Sequence, residues 1–211
     1  MVRPREGDKR RRIIDAAVNV FSERGFFNSR VNDVAEAAGV AGGTIYLYFK
    51  NKDDLLISVF EDRMDTILDL LRTELAAEET TAARLRRFIE MHLELVERDR
   101  ALADVLAVEL RQSSKFVREY RAQKFYDYLG VAESILQEGV EDGTFRSNID
   151  PKVYRRAMFG ALDELTVMWV ACAREDIPPP CSLEEAVEQV FNLFVSGLRL
   201  ESESSSNRST L

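Results

Sequence analysis

Apolar residues recur along this chain at intervals of three and four, and no stretch alternates apolar with polar long enough to make a strand, so the pattern predicts helices throughout. From about Asp8 to Arg24, Ile13, Ile14, Ala17, Val18 and Phe21 share one face, and Gly25 supplies the stop. Short helices follow from about Asn32 to Ala38, closed by Gly39, and from about Gly43 to Phe49. Asn51 is then an N-cap with an acid, Asp54, at N3. The helix it opens carries Leu55, Leu56, Val59, Phe60, Met64, Ile67, Leu68, Leu71 and Leu75 on one stripe and reaches about Ala77.

The pattern continues beyond it. Thr80 or Thr81 caps a helix to about Glu97, with Leu85, Phe88, Ile89, His92 and Leu95 inward. A shorter segment spans about 101–110, and Ser113 opens a helix to about Gly139 that the turn Glu141-Asp142-Gly143 ends. Asp150-Pro151 pairs an N-cap with proline at N1, the favoured helix start. That helix runs to about Arg174 and stops before Pro178-Pro179-Pro180. Ser182-Leu183-Glu184-Glu185 is a capping box for a last helix ending near Leu200. Residues 201–211 are Ser-rich and apolar-poor, and disorder is expected there. The fold class is therefore all-α with about nine helices, divided as a head over 1–52, a body over 53–200 and the tail 201–211.

Two helices are more apolar than a monomer surface allows. In 151–174, Met158, Phe159, Ala161, Leu162, Leu165, Val167, Met168, Trp169 and Val170 point nearly all ways, and the final helix adds Val187, Val190, Phe191, Phe194, Val195 and Leu198. A helix apolar all round must be covered on more than one side. Either it is the central core helix of a monomer, or the two helices meet a second copy in a two-fold four-helix interface. A homodimer is the expectation.

Composition narrows the function. At 45% apolar over 211 residues the chain can bury a core, which excludes disorder as the main state. The charge-free run in the apolar helix near its C-terminal end, Leu165 to Ala173, is under half a membrane span, and the basic N-terminus has no apolar signal region behind it. Two cysteines without metal-ligand partners leave a reducing cytoplasm as the expected setting and no membrane partner. The net charge of −8 is unevenly placed: residues 1–52 carry 10 basic against 6 acidic residues, and the rest is strongly acidic. A basic head on an acidic body fits a nucleic-acid binder with a separate second module, although charge scatter alone can produce it.

The head has the layout of a helix-turn-helix. Val34, Ala35 and Ala38 pack its first helix, Gly39 makes the turn, and Gly42-Gly43-Thr44 opens the second helix with backbone N–H groups bare enough to approach a phosphate. The run from Ala38-Gly39-Val40 through Gly43-Thr44-Ile45-Tyr46-Leu47-Tyr48-Phe49-Lys50-Asn51-Lys52 to Leu55 closely resembles the DNA-binding signature of TetR-type repressors, with Ile13-Ile14-Asp15-Ala16-Ala17 and Glu23-Arg24-Gly25 extending the match. Ala41 and Gly42 depart from the family's usual Ser/Thr and polar residue there, which weakens the entry cap. The resemblance implies a three-helix head bound to a double-stranded operator through Gly43, Thr44, Tyr46, Tyr48 and Lys50, with Ser29 and Arg30 at the backbone. Core packing is the alternative for Tyr46, and for Ile45 and Phe49 it is the better reading. Lys9 and Arg10, in the run Lys9-Arg10-Arg11-Arg12, sit where the helix dipole disfavours cations. DNA phosphate, with Arg3 and Arg5 on an arm, would explain them; a solvated face beside Glu6 and Asp8 is the other reading.

Nothing in the body looks catalytic. His92, the sole histidine, falls on an apolar helical face and reads as structural, and no phosphate loop, triad spacing or metal cluster accompanies it. Arg111, Lys115 and Arg118 share a helical face near Phe125, Phe159 and Trp169, which suits a ligand with an apolar tail and negative charges; a solvated charge face is the alternative. Glu109-Leu110-Arg111-Gln112-Ser113, Gly139 to Gly143, and Phe159-Gly160-Ala161-Leu162-Asp163-Glu164 with Trp169 resemble the body of the TetR-type, acyl-CoA-responsive regulators of fatty-acid degradation. That resemblance implies a repressor with no cofactor and long-chain acyl-CoA as effector, Arg111 meeting phosphate and Phe159 and Trp169 walling a tunnel. The alternative within the same family is a sensor of drugs or other hydrophobes.

Overall fold

The computed structural model describes residues 6–118, 120 and 123–198, with no account of the side chains of Glu6, Gly7 and Arg118. The tail 201–211, Arg3, Arg5, Arg121 and the side chain of Arg118 therefore lie outside the described residues. Among those described there are ten α-helices, one 3-10 turn and no strand.

In the head, α1 (Glu6–Arg24) buries Ile13, Ile14, Ala17, Val18 and Phe21 and stops at Gly25, whose φ of +77° suits glycine. The short α2 (Val31–Ala37) ends at Gly39 (φ +63°), with the Val40 amide donating to the Ala35 carbonyl. The next helix, α3 (Gly42–Ile45), is one turn, shorter than the expected 43–49. Beyond it the Tyr48 and Phe49 amides both donate to the Ile45 carbonyl, and buried Ile45 and Phe49 anchor the segment. The long α4 (Lys52–Ala76) begins on reciprocal caps: the Asp54 amide donates to Asn51 Oδ1, and the Lys50 amide to Asp54 Oδ2. Its stripe from Leu55 to Leu75 joins head to body in one continuous core.

The body comprises α5 (Thr81–Arg98), α6 (Arg100–Ala107), a 3-10 turn (Glu109–Gln112), α7 (Ser114–Arg118), α8 (Gln123–Glu141), α9 (Pro151–Arg174) and α10 (Leu183–Leu198). Caps expected at Thr80, Asp150 and Ser182 are made. The single helix expected from Ser113 to Gly139 is instead two. Phe116 and Tyr120 both turn onto Phe60, with ring centroids 5.1 and 6.1 Å away, and Tyr120 Oη donates to Glu61. The Tyr120 amide closes on the Lys115 carbonyl, five residues back, and Tyr120 is not helical. The helix count thus exceeds the expected nine. In α9, Met158, Leu162, Thr166, Trp169 and Val170 face inward, while Val153 remains 64% exposed; on α10 Leu193 is 67% exposed.

Candidate DNA-reading head and ligand cavity

The surface of α3 follows from which residues anchor it. With Ile45 and Phe49 inside, the intervening Tyr46 and Leu47 must face outward and are exposed, as are Gly43 and Lys50; Thr44 and Tyr48 are half-buried. A Cβ at Gly42 would lie 2.8 Å from Asn32 Oδ1 on α2, the end of an exposed side chain that can turn away, so space alone does not demand glycine there. Arg30 is exposed just before α2, its amide donating to Asp33, which also pairs with Arg24 at 3.1 Å.

Three residues of the expected DNA face have inward duties. Ser29 is 2% exposed and its hydroxyl donates to the Phe26 carbonyl, so the side chain cannot reach a phosphate. Arg10 sits 3.5 Å from Asp62 of α4 and over the Phe49 ring, in the join of head to body, yet its side chain stays 44% exposed beside the half-buried Lys9. Arg12 donates to the Ala38 and Gly39 carbonyls, where α2 ends and a cation is favoured. The unfavourable dipole at the start of α1 is thus offset partly by the end of α2. Lys52, prominent in sequence only as part of the signature, clamps the α1–α2 loop: its ammonium donates to the carbonyls of Phe26 (2.6 Å), Ser29 (2.9 Å) and Phe27 (3.2 Å) over the Phe26 ring. Burial pushes its pKa down, against the pull of Asp53.

Inside the body is a cavity of about 330 Å³, walled mainly by Phe60, Met64 and Leu71 of α4, Met91 and Leu95 of α5, and Leu106 of α6. Of the residues expected on a ligand, Arg111, Phe125 and Phe159 are in its wall. Trp169 is not. It lies ten residues beyond Phe159 on α9, roughly 15 Å along the axis, buried past Thr166, with its Nε1 lacking an acceptor among the described residues. Lys115 is also outside the wall, because on α7 its neighbour Phe116 takes the inward position. Arg111 is no free cation: one Nη reaches both oxygens of Asp163 at 2.7 Å, on the cavity rim. That pair is half-exposed and adds little stability.

Sequence reasoning missed the polar part of the wall. His92 Nδ1 lies 2.6 Å from Tyr128 Oη, and both line the cavity with Asp163, Thr166 and Arg98. Burial pushes His92 down to about 4, opposed by nearby Asp163, and burial also pushes the Tyr128 hydroxyl up. His92 comes from α5, Tyr128 from α8 and Asp163 from α9, so no local spacing announces the group.

A second polar cluster joins the cavity side to the head. Asp104 and Glu109, 3% and 1% exposed, share Arg174 at 2.7 Å each. Asp104 accepts from the Ser22 hydroxyl of α1 (3.0 Å), and Glu109 from the Phe26 amide after it (2.6 Å). Desolvation raises the Asp104 pKa, against the Arg174 hydrogen bonds that lower it. The 3-10 turn carrying Glu109 carries Arg111 as well, so one turn touches head backbone and cavity rim.

The sequence matches the family model described as bacterial regulatory proteins, tetR family, over residues 13–59, and that described as YsiA-like protein, C-terminal region, over 60–197. It is 39% identical, over 88% of this chain and 93% of the relative, to the fatty acid metabolism regulator protein of Bacillus subtilis strain 168. Among solved structures, the transcriptional regulator FadR of Bacillus subtilis in complex with stearoyl-CoA superposes with TM-score 0.81 at 36% identity, covering 89% of this chain and 98% of that one. The fatty acid degradation regulator FadR of Bacillus halodurans gives 0.83 at 37% identity, covering 93% and 99%.

Proposed function

The chain belongs to the TetR family of bacterial DNA-binding regulators, and from that premise we propose that it is a dimeric repressor of fatty-acid degradation genes, released from a palindromic operator by long-chain acyl-CoA. The observation that carries this reading is the apolar cavity with a charged rim, within a body similar to that of a regulator solved with stearoyl-CoA. Residues 1–52 form the DNA-binding part, 53–200 the ligand-binding and dimerisation part. No described helix is long and apolar enough to cross a membrane, and the repressor works on cytoplasmic DNA.

Gly43, Thr44, Tyr46 and Tyr48 meet the operator, and Lys50, Arg30 and Lys9 supply charge to its phosphates. The outer faces of α9 and α10, with exposed Val153 and Leu193, pair with a second copy and set two recognition segments one or more helical turns of DNA apart. An acyl chain enters between α4 and the helices facing it, gaining roughly 0.8 kcal/mol per CH₂ removed from water before ordering costs. CoA phosphates bind the basic rim, Arg111 exchanging its Asp163 partner for them and Arg98 nearby. Because Arg111 and Glu109 share a turn, that exchange reaches the Phe26 amide and tilts the head. Release follows if the ligand prefers the tilted state, since equal affinity for both shifts nothing. The test is mass spectrometry of the denatured protein after purification from bacteria fed oleate: bound acyl-CoA supports the reading, and a different hydrophobe in the cavity overturns it.

A further inference from the structure

We infer that His92 and Tyr128 together form the point in the cavity that reads the carbonyl oxygen at the head of the acyl chain, the atom that makes the ligand a thioester. The inference rests on the acyl-CoA reading and adds to it a residue pair that sets specificity. A proton count carries it. A neutral imidazole has one N–H and a phenol one O–H. The single hydrogen bond between Nδ1 and Oη uses one of these two protons. Whichever partner donates, one donor is left over, on Nε2 or on Oη, and both side chains line the cavity. Among the described residues no other hydrogen bond is made by either side chain.

The other polar groups of the wall are already engaged. The Thr166 hydroxyl donates to the Leu162 carbonyl at 3.0 Å, Asp163 holds Arg111, and Arg98 pairs with Glu94 at 2.6 Å. Around the pair the wall is aromatic: the Phe159 ring lies 5.8 Å from His92 and 6.4 Å from Tyr128, with Phe125 4.9 Å from Phe159. Rings that exclude water strengthen the one hydrogen bond a ligand can make there. A saturated acyl chain buried in this cavity has one polar atom that must be satisfied with it, the thioester oxygen, and a left-over neutral donor matches it in number and charge.

The same arrangement rejects a free fatty acid. Its carboxylate would be buried beside Asp163 and next to a histidine that burial keeps uncharged, and without phosphates at the rim Arg111 stays on Asp163. A thioester carbonyl carries no such charge.

The test uses the full-length protein with stearoyl-CoA, its thioether analogue in which CH₂ replaces the carbonyl, and stearate, followed by calorimetry. The wild type is expected to bind the thioester about three- to tenfold more tightly than the thioether, the worth of one hydrogen bond, and stearate weakest of all. In the double variant His92→Phe/Tyr128→Phe both partners are replaced by apolar rings of similar shape, which keeps the packing, and the thioester-to-thioether ratio should fall to about one. Equal binding of thioester and thioether by the wild type, or a ratio that survives in the double variant, overturns the inference and leaves the acyl-CoA reading standing. Failure of both CoA ligands to bind removes the acyl-CoA reading and this inference with it. Equal wild-type affinities for the two CoA ligands overturn the inference even if the double variant does not fold.

Discussion

Replacing Arg174 with Met strikes the cluster that ties head to body. Asp104 and Glu109 are 3% and 1% exposed, and each loses a hydrogen bond of 2.7 Å to the guanidinium. Stripping a buried carboxylate of its cation costs about 3–5 kcal/mol. The Arg174 side chain is itself 43% exposed, so water reaches the vacated space and the expected loss lies at the low end, about 3 kcal/mol. Its pH dependence is fixed in sign. The folded-state pKa of Asp104 is raised by desolvation, so its contribution to stability is full at acid pH and is lost as pH rises through that pKa. Removing Arg174 removes what holds the value down and raises it further. The deficit is therefore largest at pH 7 and shrinks toward pH 5. Urea denaturation of both proteins at the two pH values reads this directly, and adding Asp104→Asn and Glu109→Gln to the variant should recover most of the loss at pH 7. A deficit below about 1 kcal/mol, or one unchanged between the two pH values, would refute the cluster's role.

Lys50→Ala should weaken binding to every DNA sequence alike and lower the slope of log affinity against log salt by about 0.9, the value for one phosphate; an unchanged slope in filter binding removes Lys50 from the backbone. Lys52→Met leaves three loop carbonyls without their ammonium, and a loss of about 1–3 kcal/mol in urea melts is expected, with weaker operator binding from a displaced α1–α2 loop. Gly139→Ala drives a Cβ into the Phe145 ring, and since that ring is buried the overpacking should cost about 1–3 kcal/mol; an unchanged thermal midpoint would show that Phe145 can move away.

What was legible in the sequence divides by the range of the interaction. Asn51, Thr80, Asp150 and Ser182 act on amides two or three residues away, so their caps and the helices behind them could be read directly. The stripe of α4 was equally plain, since its period needs no partner to be recognised. The break between α7 and α8 was not, because Phe116 and Tyr120 on either side of it pack onto Phe60, far away in sequence, and no local spacing signals that contact. Ser29 and Arg12 look like DNA contacts by composition, and only the positions of Phe26 and of the α2 terminus turn them inward. The cavity shows the same limit more strongly. Phe125 and Phe159 could be named as large apolar residues near a cation, but the cavity runs along α9 only as far as Thr166, and nothing in the sequence marks that limit short of Trp169. The pairing of His92 with Tyr128 crosses 36 residues and carries no local signature.

A long-chain acyl-CoA is expected to release this protein from DNA. The most direct test is a titration of the protein–operator complex, followed by fluorescence anisotropy, with stearoyl-CoA, stearate and CoA in parallel. Dissociation is expected with stearoyl-CoA alone, because only that ligand both fills the apolar cavity and places phosphates at the basic rim. Equal potency of stearate would contradict the recognition of the CoA moiety, and a complex that withstands all three would contradict the acyl-CoA effector itself.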